Sequence, residues 1–526
     1  VRLILASPRH PEEALQVSLN LAVTLVENAR RVPDHPAILN AGREIPYREL
    51  NADVNRFANV LAGLGVRRGH KVILMLPNVP EFAVCYYGIL KAGAVVVPTN
   101  VMYKARELEY LITDSESVVF VTCSEYLAEA HEAFRTVGTC RDLIVVDFPR
   151  PAGDVSGKGI HRYDDLMRDV SAEFDMVPTE ADETAVIVYT SGTTGKPKGA
   201  ELTHFGQFFQ CRVLAGLIPD MIRADDVALV ALPLFHAFGQ TVIMGIAVGT
   251  GTTISLMPRY DPGAALEQMV RDKVTLFAGV PTMYVQMLHH PDRARHDLSR
   301  LRRCMSGGAP IALETMQAWK REFGFDIAEG YGLTESNPIA TTSIGEVKAK
   351  YGACGKIVWG CEVKVVDDQG RTLPPGRDGE VLLRGPNIMK GYYRNPEATA
   401  AALKDGWLYT GDIGKLDEEG YLYIVGRKKE MIIRGGYNVY PREIEELLYE
   451  HPAVQECAVI GTPHPELGEE VKAVVYLKQG RQTTPEEVRA YCRERLAAFK
   501  YPRLVEICPE PLPKTATGKI LKRAIT

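Results

Sequence analysis

The sequence predicts an α/β fold: a large N-terminal body of layered, mostly parallel sheets with helices, carrying a β-rich subdomain, then a small α+β domain. Three observations carry this. Short continuous apolar runs recur with helical patterns between them, as strands buried on both faces and their crossover helices require. The texture changes near residue 350, where short strands lie among turn-rich stretches. Near residue 427 a charged segment, Arg427-Lys428-Lys429-Glu430, breaks the apolar pattern, and a compact unit follows.

In chain order, residues 20–29 read as a first amphipathic helix. The run 72–76 is a strand ending at Pro77-Asn78, and a helix over 81–91 stops at Ala92-Gly93. Strands follow at 95–97, 118–121, 143–146, 185–189, 227–232, 253–256 and 274–277. The runs 363–366 and 380–383 are short strands around turns at 367–370 and 374–379. In the last unit Pro441 suits a first helical turn, with Ile444, Leu447 and Leu448 in one apolar stripe. Thr484-Pro485-Glu486-Glu487 is a capping box. The expected division is a body over 1–426, with its β-rich subdomain from about 350, a junction at 427–430 and a C-terminal domain over 431–526.

Composition bounds the function. With 46% apolar and 24% charged residues, the 526-residue chain is globular and large enough to bury a core unaided. Its charge, 61 − 66 = −5 with signs interspersed, opposes nucleic-acid binding. Ten cysteines lie scattered without a CxxC pair, which opposes a zinc site and suits a reducing compartment. No apolar run reaches the length of a membrane span, the run 3–6 is too short for a signal-peptide core, and the expected compartment is the cytoplasm.

The strongest local signal is Thr190-Ser191-Gly192-Thr193-Thr194-Gly195-Lys196-Pro197-Lys198-Gly199, directly after a buried strand. Small residues let backbone N–H groups approach an anion, the hydroxyls add donors, and the lysines supply charge for a polyphosphate. Pro197 interrupts what a Walker A loop would need. Pro513–Ile520 fails that pattern too, with proline in place of its first glycine.

Further motifs follow: Leu232-Pro233-Leu234-Phe235-His236-Ala237-Phe238-Gly239, Ser306-Gly307-Gly308-Ala309-Pro310, Glu329-Gly330-Tyr331-Gly332-Leu333-Thr334-Glu335, Thr410-Gly411-Asp412, Gly426-Arg427-Lys428-Lys429-Glu430, Arg434-Gly435-Gly436-Tyr437 and Pro513-Lys514-Thr515-Ala516-Thr517-Gly518-Lys519-Ile520. In this order, from about residue 20 to the C-terminus, the chain resembles the adenylate-forming enzymes: acyl- and aryl-CoA synthetases, peptide-synthetase adenylation domains and luciferases. Fatty-acid and 4-coumarate-type CoA ligases are the nearest in pattern.

The resemblance implies ATP and coenzyme A as substrates and Mg²⁺ as the metal. It assigns ATP and AMP to Thr190, Ser191, Gly192, Thr193, Thr194, Gly195 and Lys198, to an adenine wall at Gly308, Ala309 and Pro310, and to Tyr331 and Gly332. Thr334 would bond the α-phosphate, and Asp412 and Arg427 the ribose. Glu335 would hold Mg²⁺. His236 would border the carboxylate pocket, with Phe238, Met305, Gly308 and Gly330 around the acyl group. Lys519 would be the catalytic lysine. Arg434, Gly435, Gly436 and Tyr437 would pass the pantetheine arm, although the residues alone equally suit a hairpin turn. Lys429 would be the hinge on which a mobile C-terminal domain turns. Glu430 stands where an aspartate is common.

The implied activity is an ATP-dependent acyl-CoA ligase that joins a carboxylic acid to CoA through an acyl-adenylate, releasing AMP and pyrophosphate. A medium- or long-chain fatty acid is expected. An aryl acid, or a carrier protein as acceptor, is the alternative. Outside this class, a P-loop kinase lacks its motif, and a non-catalytic ATP sensor would not need Lys519, Glu335 and Lys198 together. The oligomeric state, monomer or homodimer, stays open.

Overall fold

The computed structural model describes residues 18–153, 155, 157–190, 196–218, 220–345 and 350–525. The apolar run 3–6 and residues Ser191, Gly192, Thr193, Thr194 and Gly195 lie outside them. Among the described residues the strands form four sheets.

Two large sheets make the body. In the eight-stranded sheet, Lys71–Leu74 lies between Val95–Pro98 and Ser117–Cys123, all parallel. Val95–Pro98 is buried throughout, as a run without polar alternation requires. In the nine-stranded sheet Val227–Val230, Leu276–Gly279, Arg303–Ser306 and Ile327–Tyr331 run parallel in that spatial order. Antiparallel strands occur only toward the edges, at both ends of the nine-stranded sheet and one end of the eight-stranded one, so the expected mostly parallel layers are present. The expected strand over 274–277 begins two residues later, because Val274 still donates to the Met269 carbonyl at the end of the preceding helix. The expected strand over 227–232 stops at Val230, where the chain turns toward Pro233.

Helix Pro80–Lys91 starts with proline at its first turn and is apolar nearly all round. Gly88 lets it lie against Phe57, where a Cβ would meet the ring at 2.8 Å. Before this helix, the Asn78 amide donates to the carbonyls of Val230, Leu232 and Met257 and accepts from the Leu234 N–H at 2.8 Å. One buried side chain thus ties the loop of one sheet to the other and fixes the segment that leads to His236.

The β-rich region is a five-stranded antiparallel sheet that includes Glu362–Val366, Gly379–Arg384, Trp407–Leu416 and Leu422–Arg427. It is less separate than the sequence predicts. Lys356–Ile357 joins the nine-stranded sheet, and Gly391–Tyr392 pairs with Lys198–Thr203 in the eight-stranded one. After Arg427 a fourth sheet begins at Ile432, with the long hairpin Val454–His464 and Gly468–Leu477, helices Pro441–Tyr449 and Pro485–Arg495, and its own apolar core. Pro441 occupies the first helical turn, and Thr484 and Glu487 form the capping box. No helix among the described residues is long and apolar enough to cross a membrane, and all ten cysteines are free.

Candidate active site

Ligands of open parallel sheets collect beyond the carboxyl ends of the strands. Here a cavity of about 960 Å³ opens at those ends and is closed by the C-terminal unit. Tyr189, Thr190 and Lys198 line it from one sheet, and Leu232, His236, Gly307, Gly308 and Gly332 from the other. Thr410, Asp412 and Arg427 come from the antiparallel sheet, and Thr515, Thr517 and Lys519 from the end of the chain.

The segment after Ile327–Tyr331 folds back tightly. A Cβ on Gly332 would lie 1.7 Å from the Pro338 carbonyl oxygen, so only glycine fits there. Buried amides hold the turn from behind: Gln207 donates to Asn337 at 2.7 Å, and Asn337 donates to the Asn387 carbonyl at 2.7 Å. Thr334 and Glu335 are thereby presented to the cavity on the short turn Thr334–Ser336. Glu335 Oε1 accepts from the Tyr392 hydroxyl at 2.9 Å and from the Thr190 hydroxyl at 3.4 Å. The Lys198 ammonium stands over the Tyr392 ring, 5.3 Å from its centre. No motif in the sequence marks Tyr392, which reaches Glu335 because its two-residue strand joins the body.

Asp412 and Arg427 face each other across two adjacent strands in direct register. Their side chains pair at 3.1 Å, and the Tyr331 hydroxyl donates to the other Asp412 oxygen at 2.7 Å. Burial raises the Asp412 carboxyl, against the pull of Arg427 and Tyr331. A carboxylate has about four acceptor sites, so both oxygens keep capacity for a ligand.

Lys519 enters from the C-terminal unit on a pinned loop. The Thr515 N–H donates to the Lys519 carbonyl at 2.8 Å, the Thr282 hydroxyl of the body donates to the Gly518 carbonyl at 2.9 Å, and Lys514 pairs with Glu456 at 2.6 Å. The segment is therefore no frayed tail. Burial holds the Lys519 ammonium below its ordinary value, with Arg427 adding to the effect. Burial, and then Lys519, lowers His236 to about 4. His236 Nδ1 accepts from the Phe238 N–H at 3.3 Å, which leaves the proton of the neutral ring on Nε2.

Beside His236 the lining turns apolar: Phe238, Val242, Met305 and Ile339. Phe238 starts the π-helical stretch Phe238–Gly245. A Cβ on Gly307 would meet the Phe238 ring at 3.1 Å, and one on Gly330 would meet Met305 Cε at 2.4 Å. These glycines leave room that Phe238 and Met305 occupy. The Thr341 hydroxyl, also on the lining, is spent on the Cys354 carbonyl at 2.6 Å.

A second cavity of about 210 Å³ lies between body and C-terminal unit, lined by Gly308, Ala309, Pro310, Tyr331 and Glu329. Glu329 Oε2 is buried without a partner, and burial pushes the carboxyl up to about 7. Glu329 opens its motif in the sequence but is given no role there, because no local pattern reveals its burial. On the far side, Arg442 donates to the Ile424 carbonyl of the body and to Glu446.

Arg434, Gly435, Gly436 and Tyr437 are not brought to either cavity. Gly435 and Gly436, with φ of 57° and 83°, form the two-residue turn of a hairpin. Arg434 pairs in two hydrogen bonds with Glu470, and Tyr437 stacks on Phe499 at 4.7 Å. Lys429 lies in the turn after Leu422–Arg427 and lines the larger cavity.

Among the described residues no three His, Cys, Asp or Glu side chains gather as a metal cage. Glu335 offers one carboxylate beside the hydroxyls of Thr190 and Tyr392, with Thr334 next to it on the cavity lining. That donor set fits Mg²⁺, which takes hard oxygen ligands and is commonly held by one or two carboxylates with phosphate and water.

The profile of the AMP-binding enzyme family matches residues 25–393, and that of the AMP-binding enzyme C-terminal domain matches 443–519. A long-chain-fatty-acid–CoA ligase of Bacillus subtilis (strain 168) is 36% identical, over 98% of this chain and 95% of its own length. A feruloyl-CoA synthase of Amycolatopsis sp is 38% identical, over 94% and 96%. Among solved structures, the anthranilate CoA ligase AuaEII in complex with anthranoyl-AMP superposes with a TM-score of 0.90 at 32% identity, over 97% and 96%.

Proposed function

We propose, for a chain that belongs to the AMP-binding enzyme family and is an AMP-forming acid–thiol ligase, that the acid is a medium- or long-chain fatty acid and the thiol is that of coenzyme A. The observation that carries the choice of acid is the apolar lining at Phe238, Val242, Met305 and Ile339, where the one hydroxyl, that of Thr341, is already bonded. A hydrocarbon tail needs no polar partner, whereas a ring hydroxyl buried there would find no donor among these residues and only the Thr341 oxygen to accept its proton. The second reading is an aryl acid, favoured by the flat wall of Phe238 against Gly307 and by the feruloyl-CoA synthase relative.

In the first step a carboxylate oxygen attacks the α-phosphorus of ATP. The bond to the β-phosphate oxygen breaks, and pyrophosphate leaves with its electron pair. Two anions meet, so the site supplies cations and positioning rather than a nucleophile. Lys519 stands between carboxylate and α-phosphate, Thr334 donates to that phosphate, and Lys198, Thr190 and the loop 191–195 take the rest of the chain. Mg²⁺ held at Glu335 would neutralise phosphate charge. Asp412 and Arg427 bind the ribose. Tyr331 and Gly308-Ala309-Pro310 enclose the adenine, and Glu329 accepts from its amino group. Neutral His236 borders the carboxylate without adding charge.

In the second step the CoA thiolate attacks the acyl carbonyl and AMP leaves. The turn at Gly435 and Gly436 serves this step after rotation about Lys429, bringing Arg434 and Tyr437 with it. A carrier-protein thiol would use the same turn. Thioester formation is measured with acids from octanoate to stearate against ferulate, benzoate and anthranilate. The fatty acids are expected to give the higher kcat/KM. Preference for the aryl acids would overturn this choice of acid.

A further inference from the structure

The junction residue Lys429 has neighbours that are all engaged. Arg427 pairs with Asp412, Lys428 reaches Asp368 and Glu380 at 3.3 Å each, and Glu430 faces Lys522 of the C-terminal unit at 3.4 Å. Lys429 alone has no hydrogen bond or ion pair among the described residues, and it lines the same cavity as Lys198, Arg427 and Lys519. Burial, and then the charges of Lys198 and Arg427, hold its ammonium below the ordinary lysine value. Arg427 has Asp412 as its partner, but Lys429 has no carboxylate of its own, and the like charges of Lys198 and Arg427 near it repel its ammonium until an anion enters. The anion that suits this end is the one farthest from the acyl group: Lys198 closes the glycine-rich loop, and Thr190 and Glu335 stand beside it.

We propose that the Lys429 side chain binds the β- and γ-phosphates of ATP, and then the departing pyrophosphate, in addition to any part its backbone plays as a hinge. This rests on the reading of the cavity as an ATP site. The ammonium donates to a non-bridging phosphate oxygen while the α-phosphorus–oxygen bond breaks, and no proton or covalent bond is exchanged with the lysine.

The test uses the full chain and two variants, Lys429→Ala and Lys429→Arg. Alanine removes the ammonium but leaves the backbone free to rotate, so it separates the contact from the hinge. Binding of magnesium pyrophosphate and of AMP is measured by calorimetry, and the pyrophosphate dependence of ATP formation from acyl-AMP by kinetics. Lys429→Ala is expected to weaken pyrophosphate about tenfold in both readouts, as for loss of one charge-assisted hydrogen bond. AMP affinity stays as in the parent, and Lys429→Arg restores most of the loss. Unchanged pyrophosphate binding in Lys429→Ala would overturn the proposal, as would equal weakening of AMP and pyrophosphate. If the parent protein forms no acyl-AMP with any acid, the ligase reading fails instead, and the calorimetry still judges the lysine.

Discussion

Two loops of the C-terminal unit carry chemically equipped residues, and they stand in opposite situations. The loop with Lys519 is inserted into the cavity and pinned to the body, where even a Cβ on Gly518 would lie 3.0 Å from the Thr282 hydroxyl. The turn at Gly435 and Gly436 is held within its own unit, away from the cavity: a Cβ on Gly436 would have no neighbour within 4 Å, and Ile433 and Tyr437 are 50% and 58% exposed. One small unit thus presents one loop to the site and holds the other away. Two reaction steps, one at the α-phosphorus and the other at the acyl carbonyl carbon bonded to it through oxygen, can be served by turning that unit, without rebuilding the pocket.

The largest expected effect breaks the inserted loop. Lys519→Ala lowers adenylation about a hundred- to a thousandfold, as for removal of a charge-stabilising donor. Pyrophosphate exchange measures it. A substitution at the junction sharpens the comparison next. Proline fixes φ and lacks the N–H. If Lys429→Pro holds the unit as it stands here, thioester formation from preformed acyl-AMP falls about a hundredfold, on the scale of a misplaced reacting group. Adenylation falls only by what the lost ammonium contributes. Parallel loss of both steps in a folded preparation removes Lys429 as the hinge.

Within the body, Glu335→Gln keeps the shape and loses the charge, so the Mg²⁺ needed for half-maximal rate rises about tenfold, a scale typical of one charged ligand. An unshifted Mg²⁺ titration excludes Glu335 from the metal. The last effect is on stability rather than turnover and concerns pH. The Glu329 carboxyl is raised to about 7 in the folded protein, so its protonated form is favoured by folding. Its contribution to stability is full below its unfolded value near 4.5 and is lost as pH rises through about 7. Glu329→Gln therefore unfolds at higher temperature than the parent at pH 8, by roughly 3 kcal/mol in stability, and the two converge toward pH 4. Melts at both pH values decide it, and no gain at pH 8 contradicts the burial account.

Much of this was legible in the sequence for a physical reason. Parallel strands buried on both faces leave continuous apolar runs, and the loops at their ends keep the site residues contiguous. Thr190 is found that way, at the end of the run 185–189, whereas His236, Thr334 and Glu335 are implied by the resemblance of their motifs; all four line the cavity. The strands Arg303–Ser306 and Ile327–Tyr331 escape, being short and partly polar, although they carry Met305 and Gly330. Lys198–Thr203 escapes because its hairpin partner lies across a loop rich in glycine and lysine. Gly391–Tyr392 is two residues long, below any periodicity, yet it delivers Tyr392 to Glu335 from 57 residues away. The partnerless oxygen of Glu329 and the cavity-facing side of Lys429 depend on packing between units, which no local pattern encodes.

The division of labour between the two loops is the central claim, and one paired measurement tests it. Lys519→Ala and Gly436→Ala are compared in the two half-reactions run separately: pyrophosphate exchange for adenylation, and thioester formation from preformed acyl-AMP. The alanine at position 436 has room, and the strain of its positive φ costs about 1–2 kcal/mol, so the protein stays folded. The account predicts reciprocal loss, with Lys519→Ala deficient only in the first reaction and Gly436→Ala only in the second. Equal loss of both reactions in either variant would contradict it.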